Sequence, residues 1–168
     1  MRLVCRPMRP EDRSFVIESW VSSYRRSPHA GLVSMAAWHE VMAPTIAAII
    51  DRPGVRVLVA ADADATDHLA DLFGWLAWMP HEDGPLVFYV YVKHAARFDI
   101  LTKTGPRIAS RLFRAASIDP RRPFIYACST HVVGKIAEAG KIPRAKWRPL
   151  EGRFPKEKNH GREDSDAA

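Results

Sequence analysis

Apolar residues recur at helical spacing in two stretches near the start of the chain. The apolar positions of the first stretch are Phe15, Val16, Trp20, Val21 and Tyr24. The second stretch, between Met35 and Ile50, has on its apolar side Trp38, Val41, Met42, Thr45, Ile46 and Ile49. A repeat of three to four residues places each set on one side of a helix, so the pattern predicts two amphipathic helices.

Short runs of β-branched and aromatic residues predict five strands. The predicted strands are Leu3–Arg6, Val55–Ala61, Leu72–Met79, Leu86–Val92 and Phe124–Ser129. The fourth of them is apolar on both faces, which is typical of a central strand covered on both sides. Two further helices are predicted, one opening at Gly105-Pro106 and one over Val132–Ala139.

The order of these elements predicts a mixed α/β fold. It runs strand, two helices, three strands, helix, strand, helix. Strands joined by short turns pair antiparallel, whereas the step from Tyr91 to Tyr126 through a helix predicts one parallel β-α-β crossover. We therefore expect a mostly antiparallel sheet with helices on both faces. Residues 1–150 are predicted to form one domain, and the polar tail 151–168 is predicted to be disordered.

Charge is distributed unevenly along the 168 residues. Residues 1–92 hold eight basic and eleven acidic residues, whereas residues 93–150 hold thirteen basic and three acidic ones. A basic half predicts an anionic partner, either a phosphorylated cofactor, nucleic acid or an acidic protein surface. A solvated positive face with no specific partner is the alternative interpretation.

Hydropathy and cysteine content indicate a cytoplasmic protein. No apolar run approaches the roughly 20 residues that a membrane-spanning helix needs, and the first residues lack a secretory signal pattern. The two cysteines, Cys5 and Cys128, are isolated, which is typical of reduced thiols rather than of a disulfide framework or metal site. No metal site is therefore predicted.

Three segments resemble the GNAT acetyltransferase superfamily. Val4–Asp12 is similar to the family's first strand, which ends in arginine and is followed by an acidic helix start. Phe73–Ala77 is similar to its third strand, which has an early glycine, and Tyr89–Lys93 is similar to its fourth strand. The resemblance implies an acyl-CoA N-acyltransferase fold, acetyl-CoA as co-substrate and an amine as acceptor. Similar small domains occur in tailed-phage genomes, so the resemblance also implies a phage or prophage origin.

The same resemblance implies where acetyl-CoA is held. In the family the pantetheine arm pairs with the fourth-strand backbone, here Val90, Val92 and Lys93, as an added strand would. The pyrophosphate lies at the next helix start, where backbone N–H groups favour an anion. Between Arg97 and Ala109 the only glycine is Gly105, and the loop is longer than the family's. We expect Lys103, Thr104, Gly105 and Arg107 to bind phosphate; a helix start that has lost this function is the alternative.

The resemblance also selects candidates for proton transfer. Ser129 and His131 lie where the predicted fifth strand ends, close to the expected acetyl position, and His131 is the candidate base because its ordinary pKa is near 6.5. Tyr91 shares a predicted strand face with Tyr89, where both could line the cleft, and Tyr91 is a further catalytic candidate. Aromatic packing under a helix is the alternative for both tyrosines, and a loop or capping role is the alternative for His131.

Two other functions remain open at this level. The first is a GNAT-shaped module without catalysis, which would contact nucleic acid or an acidic protein through its basic half. The second is a phage structural protein that reuses the fold. The acyltransferase is the leading hypothesis because the element order and three motifs agree with it.

Overall fold

A computed structural model describes residues 2–25, 27, 33–64, 71–93, 108–119, 122, 124–128 and 145–147. A short 3-10 helix, Pro10–Asp12, leads into the first helix. The helices are α1 (Arg13–Tyr24), α2 (Met35–Ile50) and α3 (Ile108–Ala115). The strands are β1 (Leu3–Pro7), β2 (Arg56–Asp62), β3 (Leu72–Met79), β4 (Leu86–Val92), β5 (Phe124–Tyr126) and β6 (Ala145–Trp147).

The described strands form one six-stranded sheet in the order β1-β2-β3-β4-β5-β6. The first four pair antiparallel with their neighbours in sequence. β5 pairs parallel with β4 after the connection that contains α3, and β6 pairs parallel with β5. The predicted fold class is therefore confirmed, including the parallel step. β6 was not predicted, and the predicted helix over 132–139 lies outside the described residues.

Helices cover both faces of the sheet, and each face has its own core. On one face α1 and α2 bury Val16, Trp20 and Ile46 against Trp75, Phe88 and other sheet residues. On the other face α3 buries Ile108 and Leu112 against Leu76, Val87 and Phe124. The central strands are apolar on both sides because both sides are covered.

The second helix is amphipathic, but its apolar face is narrower than predicted. It begins at the N-cap Ser34, whose hydroxyl accepts a hydrogen bond from the Ala37 N–H at 3.3 Å. Trp38 and Ile46 are buried as predicted, whereas Val41 is 63% exposed and Thr45 is also exposed. Val41 lies outside the contact face because α2 meets α1 and the sheet along one stripe only.

Two arginine–aspartate pairs hold the N-terminal elements. Arg6 on β1 donates from Nη2 to Asp12 Oδ1 at 3.0 Å, and the Arg9 backbone N–H donates to Asp12 Oδ2 at 2.7 Å. Asp12 is fully buried, and its hydrogen bond raises the pKa of the Arg6 guanidinium. Arg13 on α1 makes two bonds of 2.7 and 2.8 Å to Asp51 after α2, in a largely exposed position.

In the described ranges, no helix is both long enough and apolar enough to span a bilayer. The predicted tail 151–168 lies outside these ranges. The domain limits of 1–150 therefore stay a prediction.

Candidate functional site

The most distinctive feature of the sheet is a fork between β4 and β5. β3 pairs with β4 over its whole length, from Leu86 to Val92. Among the described residues, the ladder between β4 and β5 contains only the pairs Leu86–Ile125 and Val87–Tyr126. Its last hydrogen bond runs from the Ala127 N–H to the Val87 carbonyl at 3.0 Å. Beyond Val87, the described part of the chain pairs β4 with β3 alone.

A β-bulge in β4 lies at the base of this fork. Ala77 pairs with Tyr89 and the next residue, Trp78, pairs with Val87, so that Phe88 is an extra residue in β4. A bulge bends its strand and increases the local twist. The bend therefore occurs directly after Val87, where β4 makes its last described pair with β5.

The bulge also changes which backbone groups line the fork. In an antiparallel ladder, residues alternate between those bonded to the partner and those facing away from it. The Lys93 N–H donates to the Phe73 carbonyl at 2.8 Å. The backbone N–H and C=O groups of Lys93, and those of Tyr91 two residues earlier, therefore point toward β3. Val90 and Val92 consequently direct their N–H and C=O groups toward the β5 side. Without the extra residue Phe88, this edge would carry Tyr89 and Tyr91 instead.

The structure thus divides the three backbone residues predicted to hold the cofactor. Val90 and Val92 lie at the fork edge, half-buried, with their side chains on the α3 face. Lys93 donates its N–H to the Phe73 carbonyl in the ladder with β3, and its side chain is half-buried. Cofactor binding by these three residues stays a prediction.

Tyr89 and Tyr91 share the α1 face of the sheet, as predicted. Both pack in an aromatic layer between α1 and the sheet. The ring of Tyr89 stacks on Trp20 with centroids 5.3 Å apart, and that of Tyr91 stacks on Trp75 at 6.1 Å and meets Phe15 edge-on, also at 6.1 Å. The layer fixes the orientation of both tyrosine rings beside the bulge.

The two tyrosine hydroxyls differ in their surroundings. The Tyr89 hydroxyl donates to Ser23 Oγ at 3.0 Å, and Ser23 in turn donates to the Ser19 carbonyl at 2.6 Å. Tyr89 is buried, whereas Tyr91 is half-buried, and no described residue hydrogen-bonds to the Tyr91 hydroxyl. Tyr89 therefore docks α1 on the sheet, and Tyr91 is the better placed of the two for proton transfer.

Replacing each tyrosine by phenylalanine should separate these roles. Tyr89→Phe is expected to lower the free energy of unfolding by about 1 kcal/mol, because it removes a buried hydrogen bond. Tyr91→Phe is the matched control and should change it by less than about 0.5 kcal/mol. Urea denaturation followed by circular dichroism measures both. Equal losses in the two variants would contradict the assignment of Tyr89 as the docking residue.

Tyr126 was not selected from the sequence, but the structure places it at the base of the fork. It forms the last described pair with Val87, and its side chain packs on the α3 face. Burial raises the pKa of its phenol above the ordinary value. Nothing in the local sequence distinguishes it from a core tyrosine, because its position depends on the pairing with β4.

The remaining predicted site residues lie outside the described residues. These are the phosphate candidates Lys103, Thr104, Gly105 and Arg107 and the catalytic candidates Ser129 and His131. In the part of the chain that the structure describes, no group of three or more His, Cys, Asp or Glu side chains could hold a metal ion. Burial raises the pKa of the Cys5 thiol although Arg111 opposes the shift, which makes it a poor nucleophile.

Several solved structures share this fold at low sequence identity. No family model and no curated protein matches the sequence. A candidate acetyl transferase from Pyrococcus furiosus superposes with a TM-score of 0.53 at 12% identity, over 83% of this chain and 92% of that one. A possible acetyltransferase from Clostridium difficile 630 superposes with a TM-score of 0.51 at 11% identity, over 87% of this chain and 92% of that one.

A third solved structure carries a family name. The GCN5-related N-acetyltransferase from Ralstonia eutropha JMP134 superposes with a TM-score of 0.50 at 15% identity, over 82% of this chain and 90% of that one. At such low identity the likeness concerns the path of the chain and not its residues. It extends over most of the chain in each comparison.

Proposed function

We propose that this chain, whose fold is that of the GCN5-related N-acetyltransferases, is an acyl-CoA-dependent N-acyltransferase that acylates an amine. The observation that carries the proposal is the fork at the bulge of β4, where Val90 directs its backbone N–H and C=O groups toward the β5 side, beyond the last described pair between β4 and β5. Acetyl-CoA is the proposed acyl donor.

The geometry of the fork suits the pantetheine arm of CoA. This arm is narrow and carries two amides, so it can pair with a strand edge as an extended peptide does. The Val90 backbone would supply a donor and an acceptor on one side of it. The half-buried apolar side chains of Val90 and Val92 on the α3 face would exclude water from the same edge.

Phosphate binding is assigned to residues of the connection that precedes α3. Lys103 and Arg107 would supply positive charge, and Thr104 a hydroxyl, to the pyrophosphate of CoA. Gly105 would let the backbone approach the phosphate closely. The excess of basic residues in 93–150 supports this assignment, because a nucleotide with several phosphates is strongly anionic.

In this reaction one residue of the chain accepts a proton and another donates one. The donor supplies a thioester, whose carbonyl carbon bonds to the amine nitrogen as the carbon–sulfur bond breaks. His131 is proposed to accept the proton that the amine loses, because a neutral imidazole is a suitable base near pH 7. Tyr91 is proposed to give its phenolic proton to the departing thiolate. Ser129 is proposed to hydrogen-bond the reacting groups beside His131.

A proline at Val90 tests the proposed pairing with pantetheine. Proline lacks the N–H that faces the fork, while the hydrogen bonds between β3 and β4 at Tyr91 and Lys93 are retained. We expect Val90→Pro to weaken acetyl-CoA binding about tenfold or more in isothermal titration. Binding of adenosine 3′,5′-bisphosphate, which lacks the arm, should be unchanged.

Leu3→Pro is the matched control for this variant. Leu3 begins the edge strand β1, and the alternation set by the Met8–Val57 hydrogen bond directs its N–H away from β2. It should bind acetyl-CoA as the wild type does. If the two proline variants lose affinity equally, the pairing at Val90 is contradicted.

The wild-type titration decides between the acyltransferase and a binding module. No binding of acetyl-CoA or CoA at millimolar ligand would overturn the proposed function. If the same protein then bound duplex DNA or RNA with an affinity that falls steeply with salt, the non-catalytic alternative would be favoured. Acyl transfer itself is measured as thiol release from acetyl-CoA in the presence of a panel of amines.

A further inference from the structure

Gly74 on β3 lies opposite the end of β4 that forms the fork edge. It pairs with Val92, and the next residue of β3, Trp75, pairs with Tyr91. A methyl carbon placed on Gly74 would lie 2.4 Å from the Tyr91 carbonyl oxygen and 3.3 Å from the Val92 Cα. Both are backbone atoms, so neither contact can be relieved by turning a side chain.

The same position is also close to the start of α3. The methyl carbon would lie 3.3 Å from Cγ2 of Ile108, the first residue of α3, which is 2% exposed. The missing side chain therefore lets three segments approach one another, namely β3, the end of β4 and the start of α3. A glycine inside a strand commonly marks a place where another backbone comes close.

We propose that Gly74 is a positioning residue for the acyl-CoA site, an inference that rests on the proposed function. Heavy atoms in favourable contact are about 3.5–4.0 Å apart. Any side chain at position 74 would thus push the Tyr91–Val92 segment away by about 1 Å. Val90 and Val92 would move with it, and a displacement of that size in a binding site can cost up to about 100-fold in function.

Gly74→Ala tests the inference, with Gly54→Ala as its matched control. Gly54 has a φ of +86°, so alanine is strained there and destabilises the protein. It lies in the turn before β2, near Met79, at the opposite end of the sheet from Val92. Both variants should lower the melting temperature. Only Gly74→Ala should weaken acetyl-CoA binding, by about 10- to 100-fold, and shift the amide resonances of Val90 and Val92.

The outcomes separate this inference from the proposed function. If the wild type binds acetyl-CoA and Gly74→Ala binds it equally well, or if Gly54→Ala loses as much affinity, the positioning role is overturned and the proposed function stands. If the wild type does not bind, the proposed function is overturned and the inference with it. Should Gly74→Ala be unfolded in buffer, all three proteins are titrated in trimethylamine N-oxide, which favours the folded state.

Discussion

Asp12→Asn is expected to lower the free energy of unfolding by about 3–5 kcal/mol. The carboxylate is fully buried and accepts hydrogen bonds from the Arg6 guanidinium and the Arg9 backbone. An asparagine keeps the shape but removes the charge, which leaves the Arg6 cation, only 18% exposed, without its counter-ion. The cost is therefore that of an uncompensated buried charge. Chemical denaturation at pH 7 measures it.

Another arginine–aspartate pair, Arg13–Asp51, provides the control. Asp51 is bonded by Arg13 at 2.7 and 2.8 Å, a geometry like that of the first pair, but its side chain is 62% exposed. Water replaces the lost partner at such a site, so Asp51→Asn should cost no more than about 1 kcal/mol. Similar losses at positions 12 and 51 would contradict the view that burial makes the Arg6–Asp12 pair important.

Trp75→Ala is expected to cost about 3–5 kcal/mol, as truncation of a fully buried aromatic residue usually does. Its ring is 0% exposed and touches Trp20 at 5.0 Å, Tyr89 at 5.6 Å and Tyr91 at 6.1 Å between centroids. Its indole N–H also donates to Ser19 Oγ at 2.8 Å. Alanine would leave a cavity between α1 and the sheet and remove the ring on which Tyr91 is stacked. Thermal and urea unfolding both report the loss.

Trp78→Ala is the matched control on the same strand. Trp78 faces the α3 side, is only partly buried, and has Arg56 over its ring at 5.3 Å. Its truncation should cost about 1–2 kcal/mol, since less apolar surface returns to water. A loss at Trp78 as large as that at Trp75 would contradict the central role given to the aromatic layer under α1.

Much of the fold could be predicted because its signals are local. β3 and β4 were predicted with the bounds that the structure has, since Pro80 and the turn before Leu86 limit two strongly apolar runs. The parallel step to Tyr126 was also correct, because a helix between two strands favours that connection. The sequence resemblance to GNAT acetyltransferases is matched by the likeness to solved structures at the level of fold.

The predictions failed where an element depends on its neighbours. β6 has three residues, Ala145–Trp147, which are too few to show a period, and its extended form comes from pairing with β5. β5 was predicted to reach Ser129 but is a strand only to Tyr126. Apolar pattern alone does not tell how far a neighbouring strand continues.

The candidate site shows most clearly which features follow from local sequence and which depend on pairing with neighbouring strands. The sequence by itself determined that Leu86–Val92 is a central strand and that Tyr89 and Tyr91 share one of its faces. It did not determine which backbone groups line the fork. Because both faces of this strand are apolar, alternation carries no information about register. Only pairing with β3 introduced the bulge at Phe88, which directs the Val90 and Val92 backbones toward β5 and the tyrosine side chains toward α1.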